Sequence, residues 1–317
     1  MKKVTNFWQA LKNKQEPIFA LAPMAGVADS PFRLMCKKFG ADVLYSEMAS
    51  ATALVYAPEK TLELVKFDKK ERPYVVQLFG SKPEHFVIAT KLITKKIKPD
   101  GIDINFGCPV KKVQKQGAGA ILMTDLKLSR DIIKSVIDNT NLPVSIKIRA
   151  RSGEIDALQF LQTVNDLKIS AVMIHGRSMS QGHTGEVDWQ IIKEARKYFS
   201  GVILANGGIM DKKSADEMLM KTGVDGLGIA RGALGKPWLF DEVKGSKLKV
   251  KSQKQIFSLM IKHAKLAENI MGGRGIIEMR KHLCWYVAGI PGAAELRQKL
   301  IQVKSLKEIK EVLSPRA

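Results

Sequence analysis

The chain has 317 residues, 45% of them hydrophobic and 26% charged, which excludes a disordered polymer and suffices for one large domain plus a small one. A formal charge of +21 exceeds what solubility requires and points to a polyanionic partner, either nucleic acid or an anionic membrane face. No apolar run approaches the roughly 18–20 residues of a membrane span, and the start, MKKVTNFWQALKNK, lacks the apolar core of a signal peptide. Cys36, Cys108 and Cys284 are spaced for neither a disulfide framework nor a metal site, so a cytoplasmic protein with reduced thiols and no bound metal is expected.

From residue 18 onward, short apolar or β-branched runs alternate with amphipathic stretches. The runs IFALAPM (18–24), ADVLYSEM (41–48) and YVVQLFG (74–80) precede a helical stretch over 83–97 that opens on Pro83. GIDINFG (101–107) is followed by a helix over 125–139, and LPVSIKIRA (142–150) by one over 156–168. SAVMIHG (170–176), GVILANGG (201–208), a helix over 214–223 opened by Ser214 and closed by Gly223, and GVDGLGIAR (223–231) complete the series. Eight strand–helix units in about 230 residues predict an α/β fold, a closed (β/α)₈ TIM barrel in preference to an open doubly wound sheet. After Trp238 the alternation stops. A Lys-rich linker over 244–254 leads to helical segments over 255–271, 275–289 and 293–313. The expected organisation is a catalytic barrel over 1–243 and a small all-helical domain over 244–317. That second stretch holds 16 Lys/Arg against 5 Glu and no Asp, so its positive charge is several times denser than the barrel's.

In a parallel barrel the active site lies at the C-terminal ends of the strands, where side chains alternate inward and outward. Gln77, Asn105, Lys147, His175 and Asn206 all fall late in their strands, flanked by apolar neighbours, so five strands aim a polar group at one rim. Lys147 and Arg149 share a face at successive heights, which suits an anionic or electron-rich ligand. The glycine-rich segments 206–209 and 228–235 follow the last two strands, where barrels commonly hold phosphate on backbone N–H groups. FMN fits this pattern better than NAD, because no GxGxxG follows the first strand. Cys108 follows the fourth strand in NFGCPVKKV, with Lys111 and Lys112 near the rim. An ordinary thiol, with a pKa of about 8.5, keeps its proton near neutral pH and can serve as a general acid, although the residues alone leave a packing role equally open. Cys36 and Cys284 read as structural, and Trp285 and Tyr286 as packing within the helical domain in preference to stacking on bases.

With these residues in view, the sequence resembles the tRNA-dihydrouridine synthases, most nearly the bacterial B subgroup. The resemblance is carried by LAPMAGVADSPFR (21–33), DINFGCPVKKVQKQGAGAIL (103–122), VSIKIR (144–149), IHGRS (174–178), ANGGI (205–209), ARGALGKPWLF (230–240) and MRKHLCWYVAGIPGAAELR (279–297). It implies an FMN enzyme acting on tRNA, in which hydride passes from NADPH or NADH through the flavin N5 to C6 of uracil while Cys108 protonates C5. It further implies that Pro23, Met24, Ala25 and Gln77 line the isoalloxazine, that Lys147 bonds its polar edge and that His175 sits beside it. Asn206, Gly207, Gly208, Ala230 and Arg231 would hold the ribityl phosphate, and Asn105 and Arg149 the uracil. A monomer with no obligatory protein partner is expected. Gly208, Ala230 and His183 depart from residues common in that family.

Overall fold

The computed structural model describes residues 6–245, 250 and 252–314; residues 246–249 and 251 of the linker expected over 244–254 lie outside the described residues. The strands are Ile18–Leu21 (β1), Val43–Ser50 (β2), Tyr74–Phe79 (β3), Gly101–Phe106 (β4), Val144–Ser152 (β5), Ile155–Asp156 (β6), Ile169–Ser178 (β7), Val202–Asn206 (β8) and Gly226–Ile229 (β9). Eight of them pair in parallel in the order β1-β2-β3-β4-β5-β7-β8-β9, and β9 pairs back onto β1, with Ile18 beside Gly226 and Leu21 beside Ile229. That last pairing closes the sheet into a barrel and removes the open-sheet alternative. The extra strand β6 is a two-residue antiparallel ribbon at the end of β5, with Arg151 beside Asp156.

Alternation along each strand decides what the barrel holds. Outward residues such as Val76, Leu78, Ile104, Phe106, Ile146, Ile148 and Ile174 join one large apolar cluster with the surrounding helices. Inward residues at the lower levels, among them Ile18, Ala20, Val43, Tyr45, Val75, Met173 and Leu204, form a separate cluster inside the barrel. Trp8 completes that inner cluster and is only 1% exposed. It sits on the helix Phe7–Lys12, which crosses the N-terminal ends of the strands. There Asn6 Nδ2 donates to Ser170 Oγ at 3.1 Å, and Lys12 Nζ donates to the carbonyls of Ser200 and Gly201. The bottom of the barrel is thereby plugged, and among the described residues the interior opens at the C-terminal rim.

Aspartates start most of the helices between strands, because a side-chain oxygen at the N-cap accepts one of the amides the first turn leaves unpaired. Asp29, Asp125 and Asp156 cap Ser30–Lys38, Leu126–Ile137 and Ala157–Val164 in this way. The helix expected to open at Ser214 starts earlier, at Lys212, because Asp211 is its cap and Ser214 returns the bond to the Asp211 amide. Gly223 closes that helix at φ +61°.

The C-terminal helices are Gln253–Met271, Gly273–Tyr286, Ala293–Leu300 and Leu306–Leu313. The continuous helix expected over 293–313 is therefore two. Ser305 caps the second by accepting from the Glu308 amide, and Arg280 Nε holds the intervening Val303 carbonyl at 2.9 Å. Their core, built on Leu259, Met260, Met279, Leu283, Leu300 and Ile309, includes Met35 and Trp238 from the barrel. The helical unit thus packs directly on the helix that follows β1. Among the described residues no helix is long and apolar enough to cross a membrane.

Candidate active site

A cavity of about 530 Å³ lies at the C-terminal ends of the strands, within the roughly 300–1,000 Å³ range of cofactor and small-molecule sites. All fourteen residues singled out from the sequence line it. Pro23, Met24 and Ala25 come from the loop after β1; Gln77, Asn105 and Cys108 from the ends of β3 and β4; Lys147 and Arg149 from β5. His175 comes from β7, Asn206, Gly207 and Gly208 from β8 and its loop, and Ala230 and Arg231 from the loop after β9. Lys111 and Lys112 are exposed on the short helix Lys111–Gln114 and are not part of the lining.

One wall is a chain of buried hydrogen bonds that ends at the cysteine. Asp103 accepts from Ser145 Oγ at 2.6 Å and from Gln77 Nε2 at 2.7 Å. Gln77 Oε1 in turn accepts from Asn105 Nδ2 at 2.9 Å. Asn105 Oδ1 then accepts from the amides of Gly107 and Cys108 at 3.0 and 2.9 Å, fixing the turn that presents the thiol. Both ends of the Asn105 amide are therefore committed to the protein, and in this geometry it positions the Cys108 loop. Cys108 is half-buried and free. Its carbonyl accepts from the Ala120 amide at 3.0 Å. At Gly119, φ is +73° and an added Cβ would lie 2.7 Å from that carbonyl, which explains the glycine in QGAGA.

Beside that wall the lining is cationic. Lys147, Arg149, Arg177 and Arg231 all line the cavity, and among the described residues no carboxylate does. Lys147 Nζ donates to Asn206 Oδ1 at 3.1 Å, while Asn206 Nδ2 is anchored on the Gly228 carbonyl. Burial, reinforced by the charge of Arg149, brings the Lys147 pKa down to about 8. Arg149 is 1% exposed and donates to the carbonyls of Gly107, Ser178 and Gly182 at 2.7–2.8 Å, so three of its five N–H groups brace the rim and the two on Nη2 remain. Burial and the surrounding Lys147, Arg149 and Arg177 push His175 down to about 2, so its imidazole is neutral and acts as a hydrogen-bonding group. Gly207, at φ +109°, lies against that ring; a Cβ there would come within 2.7 Å of His175 Cδ2.

The loop after β1 owes its shape to the rest of its motif. Met24 accepts from the amides of Val27 and Ala28 in a tight turn, and Glu47 accepts from the Gly26 amide. Buried Arg33 then donates to the Ala28 carbonyl at 2.7 Å and pairs with Glu71 at 2.5 Å. Sequence reading missed Asp103, Met48 and Arg177 as parts of the site. Arg177 was legible in principle, two residues after His175 on the same face of β7. His183 faces His175 with ring centroids 6.0 Å apart, and its carbonyl accepts from Arg231.

Residues 20–317 match the family model described as dihydrouridine synthase. The probable tRNA-dihydrouridine synthase 1 of Synechocystis is 33% identical over 92% of this chain and 84% of its own. The tRNA-dihydrouridine synthase B of Pseudomonas aeruginosa is 32% identical over 87% of this chain and 86% of its own. Among solved structures, the old yellow enzyme homologue from Zymomonas mobilis superimposes with a TM-score of 0.53 at 12% identity, covering 75% of this chain and 91% of its own, a likeness of fold. The match over nearly the whole chain, together with the GCP loop, Lys147 bonded to Asn206 and the glycine rim on one cavity, places the chain in the dihydrouridine synthase family.

Proposed function

We propose that this protein reduces specific uridines of tRNA to 5,6-dihydrouridine, with FMN as its flavin and NADPH as the source of hydride. The observation that carries the reading is Cys108 held by its backbone at the mouth of a plugged, carboxylate-free cationic cavity. The lining suits FMN. Two glycines at positive φ, together with Arg177 and Arg231, offer amides and charge to a phosphate, and among the described residues the desolvated Lys147 cation has no carboxylate within ion-pair distance. Pro23, Met24, Ala25 and Gln77 would flank the ring system, Lys147 and His175 its polar edge, and Asn206, Gly207, Gly208, Ala230 and Arg231 the phosphate arm. When bound, the flavin supplies a hydride to uracil C6.

The protein's own part is to orient the base and provide the matching proton. One hydride at C6 and one proton at C5 saturate the ring double bond, and Cys108 delivers the proton from its Sγ. Asn105 sets the height of the thiol through the Gly107 and Cys108 amides, and Arg149 keeps Nη2 hydrogens available for a uracil carbonyl beside it. The plugged barrel floor leaves the rim as the way in, so the uridine must be turned out of the folded RNA to reach the thiol. Exposed Lys254, Lys262, Lys265 and Lys304 on the helical unit have no carboxylate within ion-pair distance among the described residues, which suits binding to phosphates. Replacing Cys108 with Ala tests the proton assignment. The variant is expected to keep its yellow colour and its tRNA affinity while dihydrouridine formation falls by about 10²–10⁴-fold. Unchanged turnover would remove Cys108 from the reaction.

A further inference from the structure

Outside the cavity, the junction between the barrel and the helical unit contains a buried set of donors that forms no complete hydrogen-bond network. Asp29 caps Ser30–Lys38 through Oδ1, which accepts from the Phe32 amide at 2.9 Å, and its Oδ2 faces the helical unit. His263, from Gln253–Met271, and His282, from Gly273–Tyr286, are fully buried against it. One ligand atom from each of the three residues lies within 4.8 Å of the others. Among the described residues, His263 Nε2 and both ring nitrogens of His282 are buried without a hydrogen-bond partner, an arrangement proteins rarely tolerate.

We propose that Asp29, His263 and His282 bind one divalent transition-metal ion, zinc by their chemistry, which ties the helical unit to the barrel. Three observations support the site. The His282 Nε2 to Asp29 Oδ2 distance is 3.5 Å, too long for a charge-assisted hydrogen bond of about 2.7–2.9 Å. It matches the edge of about 3.4 Å expected between two ligands of a tetrahedral ion with bonds near 2.1 Å. On His263, Nδ1 lies 3.2 Å from Tyr286 Oη; donation to that oxygen fixes the tautomer and turns the lone pair of Nε2 toward the other two ligands, as outer-sphere partners of metal-bound histidines do. The donor set also fits: one carboxylate and two imidazoles suit zinc and its first-row neighbours, and do not suit the oxygen-seeking magnesium or calcium. The widest of the three separations contracts on binding, through tilts of the two rings. None of the three residues lines the cavity, so the ion's role is mechanical and the site stands apart from the proposed reaction.

The test uses the tag-free full-length flavoprotein, purified without chelators and with its metal content measured by mass spectrometry. About one equivalent of zinc per chain is expected, with a lower melting temperature after chelation and recovery on adding zinc back. Cobalt added to the chelated protein should give the visible bands of tetrahedral Co(II), to the red of the flavin. His282→Gln should lose the metal while keeping its flavin. Wild-type protein with under about 0.1 equivalent of any transition metal, no cobalt bands and no response of melting to zinc would overturn the proposal. So would a folded His282→Gln that retains the full metal content. Should that variant fail to fold, the cobalt and melting measurements on wild type decide alone.

Discussion

Asp103 shows how far a residue can act from the cavity it serves. It lies behind the wall, outside the lining, and reaches Cys108 only through Gln77 and Asn105. Burial pushes its carboxyl up to about 6 against the hydrogen bonds from Ser145 and Gln77 and the charge of Lys147. Between about pH 4 and 6 the folded protein holds a proton here that the unfolded chain has released, so the stability this group contributes is fullest in acid and is lost as pH rises through about 6. In Asp103→Asn that dependence disappears. Urea denaturation at pH 8 and pH 5 should find the variant gaining on wild type by about 1.4 kcal/mol at the higher pH. Asn also presents a donor to Ser145 or Gln77, so turnover should fall by about tenfold or more, the consequence of one mispaired buried group, with flavin affinity little changed. A pH-independent difference in stability would contradict the assigned burial. The five polar strand ends were legible because inward positions alternate strictly. Asp103 was not, although it stands in the DINFGCP run, because its role depends on the β3–β4 register that sets Gln77 beside it. The same limit applies to Asn105 and Arg149, whose types are readable while their commitments to backbone partners are not.

At the scale of elements, strand and helix periods located the eight parallel strands and carried the helices expected over 83–97 and 125–139 nearly to their ends. The exceptions have local causes. Asp211 outcompetes Ser214 as a cap, and Ser305 with Arg280 breaks the last helix. The helix Phe7–Lys12 was invisible because six residues carry too little periodicity, and nothing in Trp8 itself says that it enters a barrel floor. Its burial makes a firm expectation. Trp8→Ala should destabilise the protein by about 3–5 kcal/mol, the usual range for emptying an aromatic site in a core. Uridine reduction well below the melting temperature should persist, since the plug lies at the end of the strands opposite Cys108. Denaturant melts paired with turnover would check both halves. Loss of turnover in a variant still fully folded would show that the floor shapes the site.

On the scale of the whole molecule, the charge asymmetry read from the sequence coincides with a separate helical unit. Its core nevertheless reaches into the barrel through Met35 and Trp238, so truncating it would expose apolar surface. Neutralising Lys254, Lys262, Lys265 and Lys304 to Gln is the cleaner probe. Affinity for tRNA should drop and the salt dependence should become shallower by up to about 0.9 in log–log slope for each phosphate no longer neutralised, with flavin uptake unchanged. Unaltered affinity would move the RNA site elsewhere. Reduction of uridine within tRNA is measured by incubating the FMN-loaded protein and NADPH with unmodified tRNA or with free uridine and quantifying dihydrouridine in each. Rapid formation in tRNA and little in the free nucleoside are expected; equal turnover of both, or NADPH oxidation with no dihydrouridine in tRNA, would rule out the proposed reaction.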